Sequence, residues 1–379
     1  MADLQDEPHT VGAAGGDLGD LSDLSNLGDL DDLDVLARPR GVAGEPEEPA
    51  EPAEPVAGSL ERARELLAAH PIADGLSGLA RTLRDTPSHD IEQGERTLET
   101  DVPRLRNGGV GAQFWSLHAP PELTGDRALT ATMEQLDLVR SVVAGCSESL
   151  RLALSADDLA DARNCGRIAV LLGPVAGPAL GDSLSTLRAY HALGVRSLTL
   201  AGTRWTQRTG LTSFGHEVVR EMNRLGVVVD LSGCTPETML RALMVARAPV
   251  VISHHPERVP DDVLRQLRAN SGLCMVPCTA GSLRETADHL EHVRDAAGPE
   301  SVALTGAYDT GAPHAPDLAD VSCFPRLIAE LLDRDWPEPD IEALTWGNVY
   351  RVVRDADFVA RAMQSRRPAS TTRVTPLDT

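Results

Sequence analysis

From Ser59 onward, segments with apolar residues three and four apart alternate with short apolar runs ending in small or polar residues. The runs at 111–115, 168–172, 197–201, 227–231, 250–253, 273–276 and 302–304 predict strands. An eighth strand is predicted near Ile72. Between them, 183–193, 214–225, 236–246 and 261–268 predict amphipathic helices. A strand followed by a helix, repeated in this way, predicts parallel pairing. Seven such units plus the eighth strand fit a closed (β/α)8 TIM barrel, with functional residues expected where the strands end.

Residues 1–58 follow a different pattern. Leu18, Leu21, Leu24, Leu27, Leu30 and Leu33 recur every third residue, mostly after Asp, and Glu-Pro pairs follow at 45–55. A period of three drifts around a helix, so no lasting apolar stripe forms. This stretch predicts a disordered, acidic, low-complexity tail, either solubilising or carrying a short linear motif that folds against a partner. The expected organisation is the tail at 1–58, one barrel domain at 59–364 and a flexible C-terminal tail at 365–379.

Charge and cysteine content narrow the function classes. The 379-residue chain has a formal charge of −22, and residues 1–58 hold 15 acidic side chains against two Arg. Such a surface repels nucleic acid and anionic membranes, so neither is expected as a partner. The six cysteines are scattered and follow no secretory leader pattern, which predicts reduced thiols and a cytoplasmic location. No apolar run approaches the roughly 18–20 residues of a membrane span.

The motifs are more specific. The stretches His70-Pro71-Ile72-Ala73-Asp74-Gly75, Thr100-Asp101-Val102-Pro103-Arg104-Leu105-Arg106, Gly111-Ala112-Gln113-Phe114-Trp115-Ser116 and Leu211-Thr212-Ser213-Phe214-Gly215 resemble the membrane (renal) dipeptidase family. The segments Glu221 to Gly226, Ala248 to His254, Val259 to Leu264, Ala287 to His292 and Gly347-Asn348 continue the likeness in order to about Val353. The resemblance implies an amidohydrolase-like barrel metallopeptidase that cleaves dipeptides with two zinc ions bridged by a carboxylate and a hydroxide. It also implies dimers.

Against that pattern, the ligand positions have changed. The family's His and Asp after the first strand fall on Leu76 and Gly78, and its bridging Glu falls on Val175. Two further His positions fall on Gly202 and Gly233, the second a metal ligand, while His254 keeps the family's His. The Asp expected to handle protons falls on Ala307, with Asp309 retained beside it. One imidazole cannot hold a zinc pair, which needs several deprotonated ligands about 2 Å from each ion. No cofactor is therefore expected, and the chain reads as a pseudoenzyme acting as a binding or assembly module, alone as a homodimer or paired with an active relative. The alternative is an active metallodipeptidase with substitute ligands.

Candidate pocket residues are His254, Arg258, Asp309 and Gly202, for a small peptide or amino-acid-like ligand. His255, Glu257, Cys234 and Cys278 also fall near strand ends, where a rebuilt mononuclear site is chemically permissible. Cys234 lacks an evident base and reads as a buried thiol. His289 and His292, three apart on a helix, read as structural.

Overall fold

The computed structural model describes residues 57–86, 89–94, 97–120, 122–207, 209–253, 258–279 and 281–378. The expected tail at 1–58 lies outside them, apart from Ala57 and Gly58, which open the first helix.

Eight strands form one parallel sheet whose spatial order follows the chain: β1 (Ile72–Ser77), β2 (Val110–Leu117), β3 (Ile168–Ala176), β4 (Ser197–Thr199), β5 (Val228–Asp230), β6 (Val250–Ser253), β7 (Leu273–Pro277) and β8 (Val302–Thr305). The expected barrel is present and nearly closed. A short additional strand, Leu150–Leu152, pairs with the start of β3. A two-stranded hairpin, Thr206–Gln207 with Gly210–Leu211, follows β4.

The helices are α1 (Ala57–Ala69), α2 (Leu79–Asp85), α3 (Val102–Asn107), α4 (Gly125–Gly145), α5 (Ala156–Asn164), α6 (Leu184–Ala192), α7 (Ser213–Leu225), α8 (Pro236–Val245), α9 (Asp261–Ala269), α10 (Leu283–Ala297), α11 (Phe324–Asp333), α12 (Glu338–Glu342) and α13 (Asn348–Arg366). Six of their starts are set by side-chain caps: Asp101, Ser155, Ser183, Thr212, Thr235 and Ser282 each accept an N–H from the first turn. Among the described residues no helix is long and apolar enough to cross a membrane.

Two apolar layers result from strand alternation. The larger layer packs Val170, Leu172, Val229, Ile252, Val276 and Leu304 with apolar helix positions such as Leu187, Val218 and Leu290. The smaller fills the barrel, and its floor is built from small side chains: Ala73 pairs with Ala112, and Ala112 with Ala169. The space they leave receives Trp346, Val349, Val352 and Val353 from the start of α13 and the π-turn before it. Asn348 fixes this plug by donating its side-chain amide to the carbonyls of Pro299 and Val302, at 2.7 and 2.8 Å, at the entry to β8. The lumen above the plug, lined by Phe114, Ser197, Asp230, Val251, Ser253 and Met275, has room for about one water.

α13 continues to Arg366, and residues 367–378 lie against α6 and α7. Ser370 donates its hydroxyl to Glu217 at 2.8 Å, and Arg367 pairs with the same carboxylate. The Asp378 carboxylate accepts the Phe214 N–H at 3.0 Å at the start of α7. Composition alone hides this, because the segment is held by polar contacts rather than by an apolar stripe.

The anchor for that docking is Glu221, buried at 1 % side-chain exposure between Arg188 at 3.0 Å and Arg224 at 2.8 Å. Burial opposes its charge, but Arg224 and Arg188 outweigh burial and hold its carboxyl below the usual range. The stabilisation is therefore full above about pH 4.5 and is lost as pH falls through the depressed value. Glu221→Ala strands two cations and should cost about 2–3 kcal/mol in urea unfolding at pH 7, with the gap to wild type shrinking below pH 4.

Candidate active site

The carboxyl ends of the strands meet around Asp74, fully buried in β1. Its carboxylate accepts from the Gln113 side-chain amide at 2.8 Å, the Gly306 N–H at 2.7 Å, the Thr305 hydroxyl at 3.2 Å and the Leu76 N–H at 3.3 Å. Gln113 is itself held by the Trp115 indole at 2.8 Å. Burial raises the Asp74 carboxyl's pKa, and these hydrogen bonds work against that rise.

From this hub the loop after β8 turns back over β1. The Gly78 N–H donates to the Tyr308 carbonyl at 2.8 Å, and the Ala307 N–H to the Leu76 carbonyl at 3.1 Å. The loop achieves this with Ala307 and Asp309 in left-handed backbone, φ +53° and +57°. A β-carbon at residue 78 would overlap the Asp309 carbonyl oxygen and lie 2.8 Å from the Thr310 nitrogen. The pocket that a side chain at 78 would occupy is thus filled by backbone.

The remaining expected positions do not converge into one site. Leu76 is half-buried at the end of β1, and Gly202 and Gly233 are exposed with φ of +76° and +73°. Val175 is fully buried within the outer apolar layer. Arg258 is exposed just ahead of α9. His254, His255 and Glu257 lie outside the described residues. Burial and the nearby Asp230 charge push the Cys234 thiol up to about 12, which removes it as a nucleophile at neutral pH. Cys278 is fully buried, and its thiol is pushed up in the same way. His292, on the outer α10, lies 3.5 Å from Asp261.

Asp309, among the expected residues, is joined in the mouth by polar residues that were not proposed as site residues. Asp230 accepts the Thr199 hydroxyl at 2.7 Å and the Ser232 N–H at 2.8 Å, and Ser232 in turn accepts the Ser253 N–H at 2.7 Å. His118, following β2, has its Nε2 buried with no hydrogen-bond partner among the described residues. Burial pushes its imidazole pKa down, against the pull of the Asp230 charge. Glu99 and Asp309 exchange backbone hydrogen bonds, at 3.1 and 2.6 Å. Asp230 and His118 had a sequence signal, a single polar residue closing an otherwise apolar strand, whereas Glu99 lies in a loop and had none. Among the described residues, no group of three or more His, Cys, Asp or Glu side chains is placed to hold a metal ion.

The profile of the membrane dipeptidase family (peptidase family M19) matches residues 60–367. The chain belongs to the membrane dipeptidase family. Dipeptidase 3 of Macaca fascicularis is 36 % identical over 342 residues, covering 81 % of this chain and 69 % of that protein. Dipeptidase verJ of Clonostachys rogersoniana is 34 % identical over 346 residues, covering 81 % and 89 %. The fold is also that of the probable dipeptidase PvdM from Pseudomonas aeruginosa, with a TM-score of 0.74 at 17 % identity over 80 % of this chain and 99 % of that one. Within this dipeptidase fold, the close approach at Gly78 sets a clear expectation. Gly78→Ala should destabilise by about 2–3 kcal/mol through overpacking, while Gly145→Ala, with open space around it, should stay within about 1 kcal/mol of wild type in the same unfolding assay.

Proposed function

We propose that this member of the dipeptidase family does not hydrolyse dipeptides and serves as a binding or assembly module. The observation that carries the reading is the closed pocket at Gly78: no side chain fits there while the Asp309 carbonyl holds its place. The donor chemistry agrees. A zinc pair needs several deprotonated ligands about 2 Å from each ion, and Leu76, Gly78, Gly233 and the buried Val175 supply none. Asp74, the carboxylate nearest those positions in sequence, has its oxygens committed to Gln113, Gly306, Thr305 and Leu76. Among the described residues the set does not fit two zinc ions. With turnover gone, the retained barrel acts by contact, as a homodimer or beside an active relative, with a small peptide or amino-acid-like compound as the ligand class its ancestry favours.

A second reading, an active metallodipeptidase with substitute ligands, draws its support from the names of the matched relatives, which are dipeptidases. One experiment separates the two. Full-length protein purified without chelator and supplied with zinc should bind essentially no metal on the first reading, against about two ions per chain on the second. Dipeptide hydrolysis that disappears with chelator and with His254→Ala would overturn the proposal.

A further inference from the structure

The chain leaves α13 through Arg366-Arg367-Pro368-Ala369-Ser370, which places two arginines three and four residues ahead of a serine. That spacing is a charge pattern that arginine-directed protein kinases match with acidic residues along the substrate cleft. Such a cleft takes an extended chain, and residues 367–375 are neither helix nor strand. Of the described side chains from 367 to 378, only Ser370 and Asp378 are buried, at 8 % and 3 % exposure, while the partly buried Val374 packs against the core. A terminal segment held by so few contacts opens locally at small cost.

Glu217 on α7 holds both features that a kinase would need. Its carboxylate accepts the Ser370 hydroxyl at 2.8 Å and pairs with Arg367. Burial opposes its charge, but Arg220, Ser370 and Arg367 outweigh burial and hold its carboxyl below the usual range. The Ser370 N–H also donates to Glu221 at 3.4 Å, and the Ser370 carbonyl accepts from Arg188 at 3.1 Å. Farther on, Asp378 accepts from the Phe214 N–H at 3.0 Å and from Thr375 at 2.8 Å. We propose that Ser370 is a phosphorylation site for an arginine-directed kinase, shielded by Glu217 while the segment is docked, and that phosphate there prevents the segment from docking again.

The phosphoryl donor is ATP with magnesium. Ser370 Oγ bonds the γ-phosphorus as the bond from that phosphorus to the β,γ-bridging oxygen breaks; ADP leaves, and the hydroxyl proton passes to the kinase's catalytic aspartate. The product lacks the hydrogen that Glu217 accepted and carries about two negative charges in its place. The surrounding cations are already engaged: Arg188 and Arg224 by Glu221, and Arg220 and Arg367 by Glu217. Drawing them to the phosphate would strip partners from the buried Glu221 and from Glu217, which costs more than releasing an exposed segment. Arg373 is exposed and moves with the segment.

The test incubates the full chain with magnesium, ATP and a purified arginine-directed serine kinase, and locates phosphate by peptide mapping. Wild type should be modified at Ser370. Glu217→Gln should be modified about tenfold faster, because a charge-assisted hydrogen bond no longer holds the segment down. Arg367→Ala added to that variant should lose about the same factor through weaker recognition. After modification of wild type, hydrogen exchange at the Phe214 N–H, which Asp378 protects, should speed up about tenfold or more. Absence of phosphate at Ser370 from both wild type and Glu217→Gln overturns the proposal. So does a Phe214 N–H that is as protected after modification as before, or more so, a reading on wild type that depends on no variant folding.

Discussion

The barrel depends on one buried carboxylate. Backbone ladders join β1 to β2 and onward to β8, whereas at the seam β1 meets the chain just after β8 through an isolated backbone bridge, Ser77 with Tyr308. An unpaired strand edge is a liability in any sheet. Here the seam is bridged by Asp74, which reaches Gln113 on β2 and Thr305 and Gly306 at the end of β8. Burying a carboxylate costs several kcal/mol unless its oxygens are matched, and Asp74 is matched by four donors from three strands and their ends. The same atoms therefore close the barrel and define the geometry of its mouth.

That geometry has a chemical consequence. Once Gly306 is fixed against Asp74, the following residues run back over β1, with Ala307 and Asp309 in left-handed backbone. Tyr308 and Ala307 bond to the backbone at Gly78 and Leu76, so the space above the first strand is filled by main chain. Glu99 accepts the Asp309 N–H of this loop at 2.6 Å, and His314 Nε2 lies 2.9 Å from the Gly306 carbonyl. The scaffold is carried by strand alternation and the chemistry of the mouth by a few side chains at strand ends.

Most of the barrel was legible because strand and helix periods differ and the loops between them are short. The run at 111–115 sits inside Val110–Leu117, and 250–253 coincides with Val250–Ser253. The run at 168–172 continues through Pro174 to Ala176, where burial on both sides outweighs the usual reluctance to place proline in a strand. The run at 197–201 is strand only over Ser197–Thr199, and the Leu200 N–H closes its last pair by donating to the Asp230 carbonyl at 3.0 Å. Leu150–Leu152 and the hairpin after β4 are two or three residues per strand, too short to show a period. The plug formed by α13 was hidden too, because its apolar face reads like that of any surface helix.

The candidate site was legible as a set of altered motif positions and no further. The family resemblance implied that Leu76, Gly78, Val175, Gly233 and Ala307 belong to one centre, yet Val175 packs in the outer layer and Gly78 sits under another loop's carbonyl. The polar groups that do meet there, Asp74 with Gln113, Asp230 with Thr199, and Glu99 with His314, come from separate parts of the chain. The sequence by itself determined the family, the alternation that makes eight parallel strands, and which side chains are present at their ends. Tertiary structure alone decided which polar groups face each other and which pocket is filled, because those distances are set when the sheet curves round and its first and last strands meet.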